Sequence, residues 1–366
     1  MSDASAPVPG PIMIMAGGTG GHIFPGLAVA ELLRTRKVPV LWLGAAGGME
    51  TRLVPARNIP LRTVPVSGVR GKNLLTRIGA PWMMMRALVA SLRILREENP
   101  RCVLSMGGYV AGPGGIAAWL RRKPLLVHEQ NRVPGFTNRA LARVAKRVLA
   151  GFADAFPEKV RAEWTGNPVR ASIAALPPPE RRFAARGDLP AQLLVLGGSR
   201  GARALNLRVP DALALIPEEK RPRVLHQCGA DHVEATRAAY ARAQVEAEVV
   251  PFIEDMAAAY AKADLAICRA GALTLAELAA TGVGAILIPF PFAVDDHQTR
   301  NAQAFVEIHA AELVQERDFQ MARFATLLQR LLGDRAKLLA MAQAARTLAK
   351  PEAAATIADR CLEAAA

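Results

Sequence analysis

The sequence predicts an α/β protein with two doubly wound parallel-sheet domains, one in each half. Short apolar runs alternate with longer segments of helical period, which is typical of parallel strands joined by helices. A glycine-rich turn of similar sequence also follows a strand in each half, and Thr19 and Ser199 in these turns lie 180 positions apart. The length of 366 residues fits two domains, and we place their junction near Gly166–Arg170.

The predicted strands are the short apolar runs. In chain order, the first half supplies PIMIMA, VPVLWLG, CVLSM and PLLVHE, and the second half supplies QLLVLGG, RVLHQCG, AEVVPF, ADLAICR and GAILIPF. Continuous apolar runs of this length indicate strands that helices cover on both faces. Ligands of such sheets bind at the carboxyl ends of the strands, so we expect the two domains to face a cleft there.

The composition indicates a globular protein with a basic surface. The 46 Lys and Arg exceed the 32 Asp and Glu by 14, which favours an anionic partner, although a solvated basic surface is the alternative. No nucleic-acid-binding module is evident, so nucleic acid is not an expected partner.

The four cysteines form no C-x-x-C pair, which indicates free thiols in a reducing compartment. The stretch Cys102–Leu120 is uncharged and long enough to suggest a membrane span, but glycines and a proline interrupt it. We therefore predict no span here and a cytoplasmic protein whose membrane contact is peripheral.

Two glycine-rich turns in the first half are candidate phosphate-binding loops. GGTGGH follows the first strand at Gly17–His22, and SMGGYVAGPGG follows the third at Ser105–Gly115. Such turns let backbone N–H groups approach an anion, and two of them can embrace a diphosphate. The first turn fails the dinucleotide fingerprint because Ile23 stands where a glycine is needed. A packing turn and a flexible surface loop are the alternatives.

Polar side chains after other strands are candidate sugar and nucleotide contacts. Asn131, in HEQN after the strand PLLV, can hydrogen-bond a sugar hydroxyl or can cap a turn. Gly271–Thr274 should open a helix whose free N–H groups can hold a pyrophosphate. Glu277 lies one turn further, where its carboxylate can accept hydrogen bonds from ribose hydroxyls. Gln298 and Asn301 also lie one turn apart on a helix start and can both face a sugar.

Eight motifs occur together and in order from Ile12 to about residue 305. They are GGTGGH, SMGGYVAGPGG, HEQN, GNPVR, GGSRGA, FIEDM, RAGALTLAE and DDHQTRNA. The ordered set resembles the GT-B glycosyltransferases of family 28, and specifically those that act in peptidoglycan synthesis. This sequence departs from the commoner forms at Arg200, where Gln is frequent, and at CRAGA, where SRSGA is commoner.

The resemblance implies a UDP-GlcNAc-dependent hexosyltransferase with an inverting single displacement. Its acceptor would be the C4 hydroxyl of MurNAc in undecaprenyl-pyrophosphoryl-MurNAc-pentapeptide (lipid I), and its product lipid II. The implied domains are residues 1–165, completed by a C-terminal helix over 350–366, for lipid I and the membrane, and residues 166–349 for UDP-GlcNAc. The implied location is the cytoplasmic face of the bacterial inner membrane. Other cell-wall synthesis and division proteins stay open as partners.

The resemblance also implies site residues. Ser199 and the Ala272–Thr274 backbone would take the phosphates, Ile253 the uracil through its backbone, and Glu277 the ribose. The implied UDP-GlcNAc contacts are Thr19, Gly20, Gly21, Asn131, Arg170, Ser199, Ile253, Ala272, Leu273, Thr274, Glu277 and Gln298. The implied contacts with the acceptor diphosphate are Gly18, Gly107, Gly108 and Tyr109.

His22 is the predicted catalytic base. An ordinary histidine pKa of about 6.5 suits proton transfer at neutral pH, and His22 ends the first glycine turn. A histidine that only hydrogen-bonds the acceptor phosphate is one alternative, and Glu129 is the alternative base. Arg269 is expected to help the departing diphosphate. No metal-ligand cluster is evident in the sequence, so we predict neither a cofactor nor a catalytic metal.

The stretch IGAPWMMM, Ile78–Met85, is a candidate membrane patch. Trp and Met beside cations suit the interface of an anionic phospholipid membrane. A buried helix start is the alternative, because Leu88, Leu92 and Leu95 continue a core-like stripe. The predicted patch residues are Ile78, Trp82, Met83 and Met84.

Two other functions stay open. One is a different GT-B enzyme, such as a glycolipid synthase, and the other is a non-catalytic protein that binds a sugar nucleotide. The two acceptor-half motifs HEQN and SMGGYVAGPGG favour lipid I as acceptor. The joint presence of His22, Glu277 and Gln298 favours an enzyme over a binding protein.

Overall fold

The computed structural model describes residues 10–67, 80–187, 189–198, 201–293 and 296–366. The chain divides into two compact units: unit 1 is Met1–Pro168 with Glu352–Ala366, and unit 2 is Val169–Pro351. The predicted junctions lie within three residues of these boundaries. Each unit holds a parallel sheet with helices packed on it, so the predicted α/β class is confirmed.

Among the described residues of unit 1, seven strands form one parallel sheet in the order β3-β2-β1-β4-β5-β6-β7. The strands are β1 (Ile12–Met15), β2 (Val40–Ala45), β3 (Leu61–Val64), β4 (Cys102–Ser105), β5 (Leu125–Glu129), β6 (Arg147–Ala150) and β7 (Glu163–Trp164). The helices are α1 (Gly20–Thr35), α2 (Glu50–Leu53), α3 (Ala80–Glu98), α4 (Ala111–Leu120) and α5 (Phe136–Leu141).

The sheet of unit 1 is apolar on both faces because alternate residues of each strand point to opposite sides. Ile12 and Ile14 of β1 pack in one core cluster with α1, whereas Met13 and Met15 pack in another with α3 and α4. This two-sided burial explains why β1 has an unbroken apolar sequence.

Among the described residues of unit 2, six strands form a parallel sheet in the order β10-β9-β8-β11-β12-β13. The strands are β8 (Gln192–Leu196), β9 (Arg223–Gln227), β10 (Glu248–Val250), β11 (Leu265–Cys268), β12 (Gly284–Leu287) and β13 (Ala311–Leu313). The helices are α6 (Ala171–Ala174), α7 (Pro179–Arg186), α8 (Arg203–Ala214), α9 (Val233–Arg242), α10 (Met256–Lys262), α11 (Ala272–Thr281), α12 (His297–Val306), α13 (Met321–Leu332) and α14 (Arg335–Thr347).

Both sheets share one winding order, and each has a switch point where the direction of winding reverses. In unit 1 the switch point lies between β1 and β4, which pair from Ile12 with Cys102 to Met15 with Ser105. In unit 2 it lies between β8 and β11. Doubly wound sheets bind ligands beyond the carboxyl ends of the strands at this point. The four glycine turns of the sequence follow these four strands, so they lie at the two switch points.

The C-terminal helix α15 (Ala353–Ala365) belongs to unit 1. Its residues Ile357 and Cys361 are buried in the same cluster as Ile12. Arg360 also donates from Nε to Glu163 Oε2 at 2.8 Å and from Nη2 to Oε1 at 2.8 Å. The helix therefore completes one face of the unit 1 core.

Arg182 of α7 holds the ends of two helices in unit 2. Its buried guanidinium donates to the Tyr260 carbonyl at 3.0 Å, to the Thr281 carbonyl at 2.8 Å and to the Gly282 carbonyl. These carbonyls lie at the C-termini of α10 and α11, where a cation is favourable. Arg182 therefore fixes α11 from the end opposite to its predicted phosphate site.

We expect Arg182→Met to destabilise unit 2 by about 3 kcal/mol, because several buried carbonyls lose their donor. Denaturant unfolding followed by circular dichroism would measure the change. The neighbouring Arg181 is exposed, and Arg181→Met is the matched control with little expected effect. Equal stability of the two variants would contradict this role of Arg182.

Candidate active site

The two glycine turns of unit 1 lie against each other at its switch point. Gly107 and Gly108 have φ of +96° and +87°, in the region that favours glycine. A Cβ atom on Gly108 would lie 2.1 Å from the Gly17 carbonyl oxygen. The predicted loops therefore form one continuous backbone surface at the ends of β1 and β4.

Glu50, which the sequence analysis missed, lies beneath the first glycine turn. Its fully buried carboxylate accepts from the Ala45 N–H at 2.7 Å and from the Gly18 N–H at 3.3 Å. The Gly18 N–H is therefore engaged inside the protein, and Gly18 is poorly placed to donate to an acceptor diphosphate. Tyr109, in contrast, is half-exposed and its ring lies 3.2 Å from the position of a Cβ on Gly18.

His22 connects the two turns. Its Nδ1 lies 3.2 Å from Thr19 Oγ1, and a Cβ on Gly107 would lie 2.8 Å from its Cδ2 and 3.1 Å from its Nε2. Thr19 is the N-cap residue of α1, but its side chain makes no capping hydrogen bond. When Nδ1 carries the proton it donates to Thr19, and the Nε2 edge of the imidazole lies toward Gly107.

Glu129 acts as an anchor of its own loop. One carboxylate oxygen accepts from the Asn131 N–H at 3.0 Å and from Asn131 Nδ2 at 3.2 Å; the other accepts from the Gly135 N–H at 3.1 Å and from Asn138 Nδ2 at 2.8 Å. A buried carboxylate with four donors is poorly placed to take a proton from a substrate. This geometry disfavours Glu129 as the alternative base.

The other members of HEQN point in different directions. His128 is fully buried, its Nε2 lies 2.9 Å from the Gly166 carbonyl oxygen, and burial lowers its pKa to about 4. Gln130 is also buried, with Nε2 3.1 Å from His128 Nδ1. Asn131 is half-exposed, so it is the member of the motif that can reach a sugar.

The N-terminus of α11 is the candidate phosphate site of unit 2. Gly271 is the N-cap residue of this helix and has no side chain with which to cap it. The first N–H groups, from Ala272 to Thr274, have no acceptor within the helix itself, and the helix dipole favours an anion there. In the adjacent turn after β8, Gly198 and Gly201 have φ of +78° and +72°. Ser199 lies outside the described residues, so its predicted phosphate contact stays a prediction.

Arg170, Glu277 and Tyr260 form a connected group beside α11. Arg170 Nη2 donates to Glu277 Oε1 at 3.2 Å, and the Tyr260 hydroxyl donates to Glu277 Oε2 at 3.0 Å. Burial raises the pKa of Glu277 above its ordinary value. The structure thus brings together the predicted nucleotide and ribose contacts and adds Tyr260. No sequence pattern marked Tyr260 as functional, because an aromatic residue in an apolar helix stripe indicates core.

One expectation in unit 2 is wrong. Asn301 is fully buried and donates from Nδ2 to the Ala270 carbonyl at 3.2 Å, because α12 turns this residue toward the sheet. Arg269 donates to the Pro289 carbonyl at 3.0 Å and pairs with Glu316, and its predicted contact with the diphosphate stays a prediction. Gln298 is half-buried and its Oε1 accepts from the Phe290 N–H at 2.9 Å. Ile253 is buried.

The predicted membrane patch is partly corrected. The Trp82 side chain is 69% exposed, but Met83 and Met84 pack against the unit 1 core, because successive helix residues point about 100° apart. Ile78 lies outside the described residues. The exposed apolar residues of α3 and of the neighbouring α4 are Trp82, Met85, Val89, Ile116, Trp119 and Leu120.

Two family models match the chain. The glycosyltransferase family 28 N-terminal domain matches residues 12–150, and the glycosyltransferase family 28 C-terminal domain matches residues 192–357. Together they cover the two switch points and all the described strands except β7.

Relatives match over nearly the whole chain. A protein of Xanthomonas campestris pv. campestris (strain 8004) is 58% identical over 353 residues, which are 96% of this chain and 82% of the relative. A protein of Alkalilimnicola ehrlichii is 54% identical over 96% of this chain and 98% of its own length. Both are named UDP-N-acetylglucosamine–N-acetylmuramyl-(pentapeptide) pyrophosphoryl-undecaprenol N-acetylglucosamine transferase.

Solved structures agree with this assignment. The crystal structure of Acinetobacter baumannii MurG superimposes with a TM-score of 0.84 at 42% identity, over 97% of this chain and all of that chain. The glycosyltransferase VinC in complex with dTDP has a TM-score of 0.67 at 15% identity, which shows a shared fold. Because both domain models match in order and the fold is shared along the whole chain, this chain belongs to glycosyltransferase family 28 and has the GT-B fold.

Proposed function

We propose that this chain transfers GlcNAc from UDP-GlcNAc to the C4 hydroxyl of MurNAc in lipid I and so forms lipid II. The observation that carries the proposal is the 54–58% identity, over 96% of the chain, with proteins named for this reaction. Unit 2 binds the UDP-sugar at the α11 N-terminus, and unit 1 binds the lipid-linked acceptor at its paired glycine turns.

In the proposed single displacement, the acceptor oxygen forms a bond to the anomeric carbon as the bond from that carbon to UDP breaks. The hydroxyl proton passes to the His22 imidazole, and the electron pair of the broken bond stays on UDP. The configuration at the anomeric carbon is therefore inverted. The N–H groups at the start of α11 stabilise the charge that develops on the diphosphate. One such donor lowers the activation barrier by about 3 kcal/mol.

A transfer assay tests the proposal directly. The full chain is incubated with a soluble lipid I analogue and, in separate reactions, UDP-GlcNAc, UDP-GalNAc, UDP-glucose or GDP-mannose. We expect product only with UDP-GlcNAc, carrying a β-linked GlcNAc on C4 of MurNAc. Efficient transfer to a diacylglycerol acceptor instead would favour a glycolipid synthase.

We propose that charge stabilisation by α11 makes a divalent ion unnecessary. The helix end offers several backbone donors and about half a positive charge, and both favour the negative charge that develops on a departing diphosphate. We expect the rate in excess EDTA to equal the rate with added Mg²⁺. A rate that collapses in EDTA and recovers with Mg²⁺ would contradict this expectation.

We propose that unit 1 also docks on the cytoplasmic surface of the inner membrane. Unit 1 carries 24 Lys and Arg against 12 Asp and Glu, so it holds +12 of the chain's +14. The exposed apolar residues of α3 and α4 lie on this unit, and Arg86, Arg121 and Arg122 beside them are exposed. Apolar bulk with cations around it suits an anionic lipid surface. None of the described helices combines the length and the apolar character needed to cross a bilayer.

We expect the double variant Trp82→Glu, Trp119→Glu to lose about tenfold or more in affinity for phosphatidylglycerol vesicles, because it loses apolar anchors and gains repelling charges. Vesicle co-sedimentation measures the affinity. Leu189 and Leu215 are also exposed but belong to unit 2. The double variant Leu189→Glu, Leu215→Glu is therefore the matched control, and we expect it to bind vesicles almost normally. Transfer to a soluble acceptor should be unchanged in both. Normal vesicle binding by the first variant would refute the docking surface.

A further inference from the structure

We propose that Tyr260 is a positioning residue of the nucleotide site: its buried hydroxyl holds the Glu277 carboxylate in the orientation that receives the ribose hydroxyls. This inference rests on the proposed function, because it takes a uridine nucleotide as the ligand of unit 2. It adds to that function a residue that touches no substrate.

The hydrogen bond from Tyr260 is shielded on the tyrosine side, because the Tyr260 hydroxyl cannot turn to water instead. Tyr260 is fully buried, and its hydroxyl donates to Glu277 Oε2 at 3.0 Å. A buried tyrosine hydroxyl that lost this acceptor would be left unsatisfied, at a cost of about 1–3 kcal/mol. The contact therefore fixes one oxygen of the carboxylate against α10.

The other carboxylate oxygen has an exchangeable partner. Arg170 donates to Glu277 Oε1 at 3.2 Å, but its side chain is 51% exposed. A partly exposed ion pair of this kind contributes only about 0–1 kcal/mol. Ribose hydroxyls can therefore displace Arg170 from Oε1 while Tyr260 keeps the carboxylate in place. Because one partner is buried and the other is exposed, the Glu277 carboxylate is already oriented and still has one oxygen that can accept from the ribose.

The same arrangement controls the charge of Glu277. Burial raises the pKa of Glu277, whereas Arg170 and the Tyr260 hydroxyl lower it. Burial raises the pKa of the Tyr260 hydroxyl well above its ordinary value, and the nearby Cys268 of β11 raises it further. The hydroxyl therefore stays protonated and remains a donor. Once ribose displaces Arg170, the Tyr260 hydroxyl still stabilises the charged form. Ionised Glu277 binds ribose, so affinity should fall as the pH falls through the pKa of Glu277. Loss of the Tyr260 hydroxyl should move this fall to higher pH.

The test measures UDP binding by the full chain with calorimetry between pH 5 and 8. We expect Tyr260→Phe to weaken UDP binding by about 5–10-fold at pH 7.5, the effect of one hydrogen bond to a charged group. The acid-side loss of affinity should occur at higher pH than in the wild type. Binding of 2′,3′-dideoxy-UDP, which lacks the ribose hydroxyls, should change less than about twofold.

Tyr240→Phe is the matched control. Tyr240 is also buried in unit 2, but its hydroxyl contacts His226 Nδ1 at 3.0 Å rather than Glu277. This variant loses a comparable buried hydrogen bond, and its UDP affinity and pH profile should match those of the wild type. Equal weakening of UDP and the dideoxy analogue by Tyr260→Phe would show a merely structural role and overturn the inference, as would an unchanged pH profile.

A second measurement covers the case in which Tyr260→Phe does not fold. The full chain is produced with 3-fluorotyrosine in place of tyrosine. The more acidic hydroxyl at position 260 donates more strongly to Glu277, so the acid-side loss of UDP affinity should move to lower pH. An unmoved profile would overturn the inference. Wild-type protein that binds no UDP would overturn the proposed function itself, which separates the two failures.

Discussion

Substitution of His22 by alanine should lower kcat by about 10²–10⁴-fold, the range of general acid–base catalysis. The imidazole lies where the two glycine turns of unit 1 meet, with Nδ1 3.2 Å from Thr19 Oγ1 and the Nε2 edge toward Gly107. The UDP-GlcNAc affinity should change by less than about threefold, because the proposed phosphate and ribose contacts belong to unit 2. Steady-state transfer kinetics and UDP calorimetry measure the two quantities.

His22→Gln separates the two roles that the sequence left open. Glutamine keeps a hydrogen-bond donor at this position but cannot take a proton at neutral pH. If His22 is the base, His22→Gln should be nearly as slow as His22→Ala. Transfer close to the wild-type rate would instead show that His22 only binds the acceptor phosphate.

Gly108→Ala should lower kcat/KM for the lipid I analogue by about 100-fold or more, because displacement of a positioning loop by about 1 Å has that effect. A Cβ on Gly108 would lie 2.1 Å from the Gly17 carbonyl oxygen, so the two turns must separate. The φ of +87° adds strain for any residue with a Cβ. We also expect a loss of about 3 kcal/mol in the free energy of unfolding.

Gly47→Ala and Gly135→Ala are the controls for this prediction. Gly47 has φ of +74° but no atom within 4 Å of its Cβ position, so it shares the backbone strain without the collision. Gly135 has open space and no positive φ. Both should keep transfer within a fewfold of the wild type. A Gly108→Ala variant as active as Gly47→Ala would show that contact between the turns is not needed.

The sequence determined the fold class, because periodicity and turn chemistry are local properties. Runs such as PIMIMA are apolar on both faces only when helices cover both sides of a sheet, and β1 is buried in this way. Glycine turns follow β1, β4 and β8, where positive φ and close backbone approach require glycine, and Gly271 follows β11; these turns lie at the two switch points. The ordered motifs then identified the family, which the domain models confirm.

Only the tertiary structure decided which polar side chains are available. Helix position alone did not show that Asn301 turns to the core while Gln298 stays half-exposed. Glu50 and Tyr260 carry no motif, yet one accepts from the Gly18 N–H and the other donates to Glu277. Glu129 is likewise surrounded by four donors, three of them from residues within six positions. The physical reason is that a hydrogen-bond partner depends on side-chain direction and on packing between distant segments, and neither is encoded in local sequence pattern.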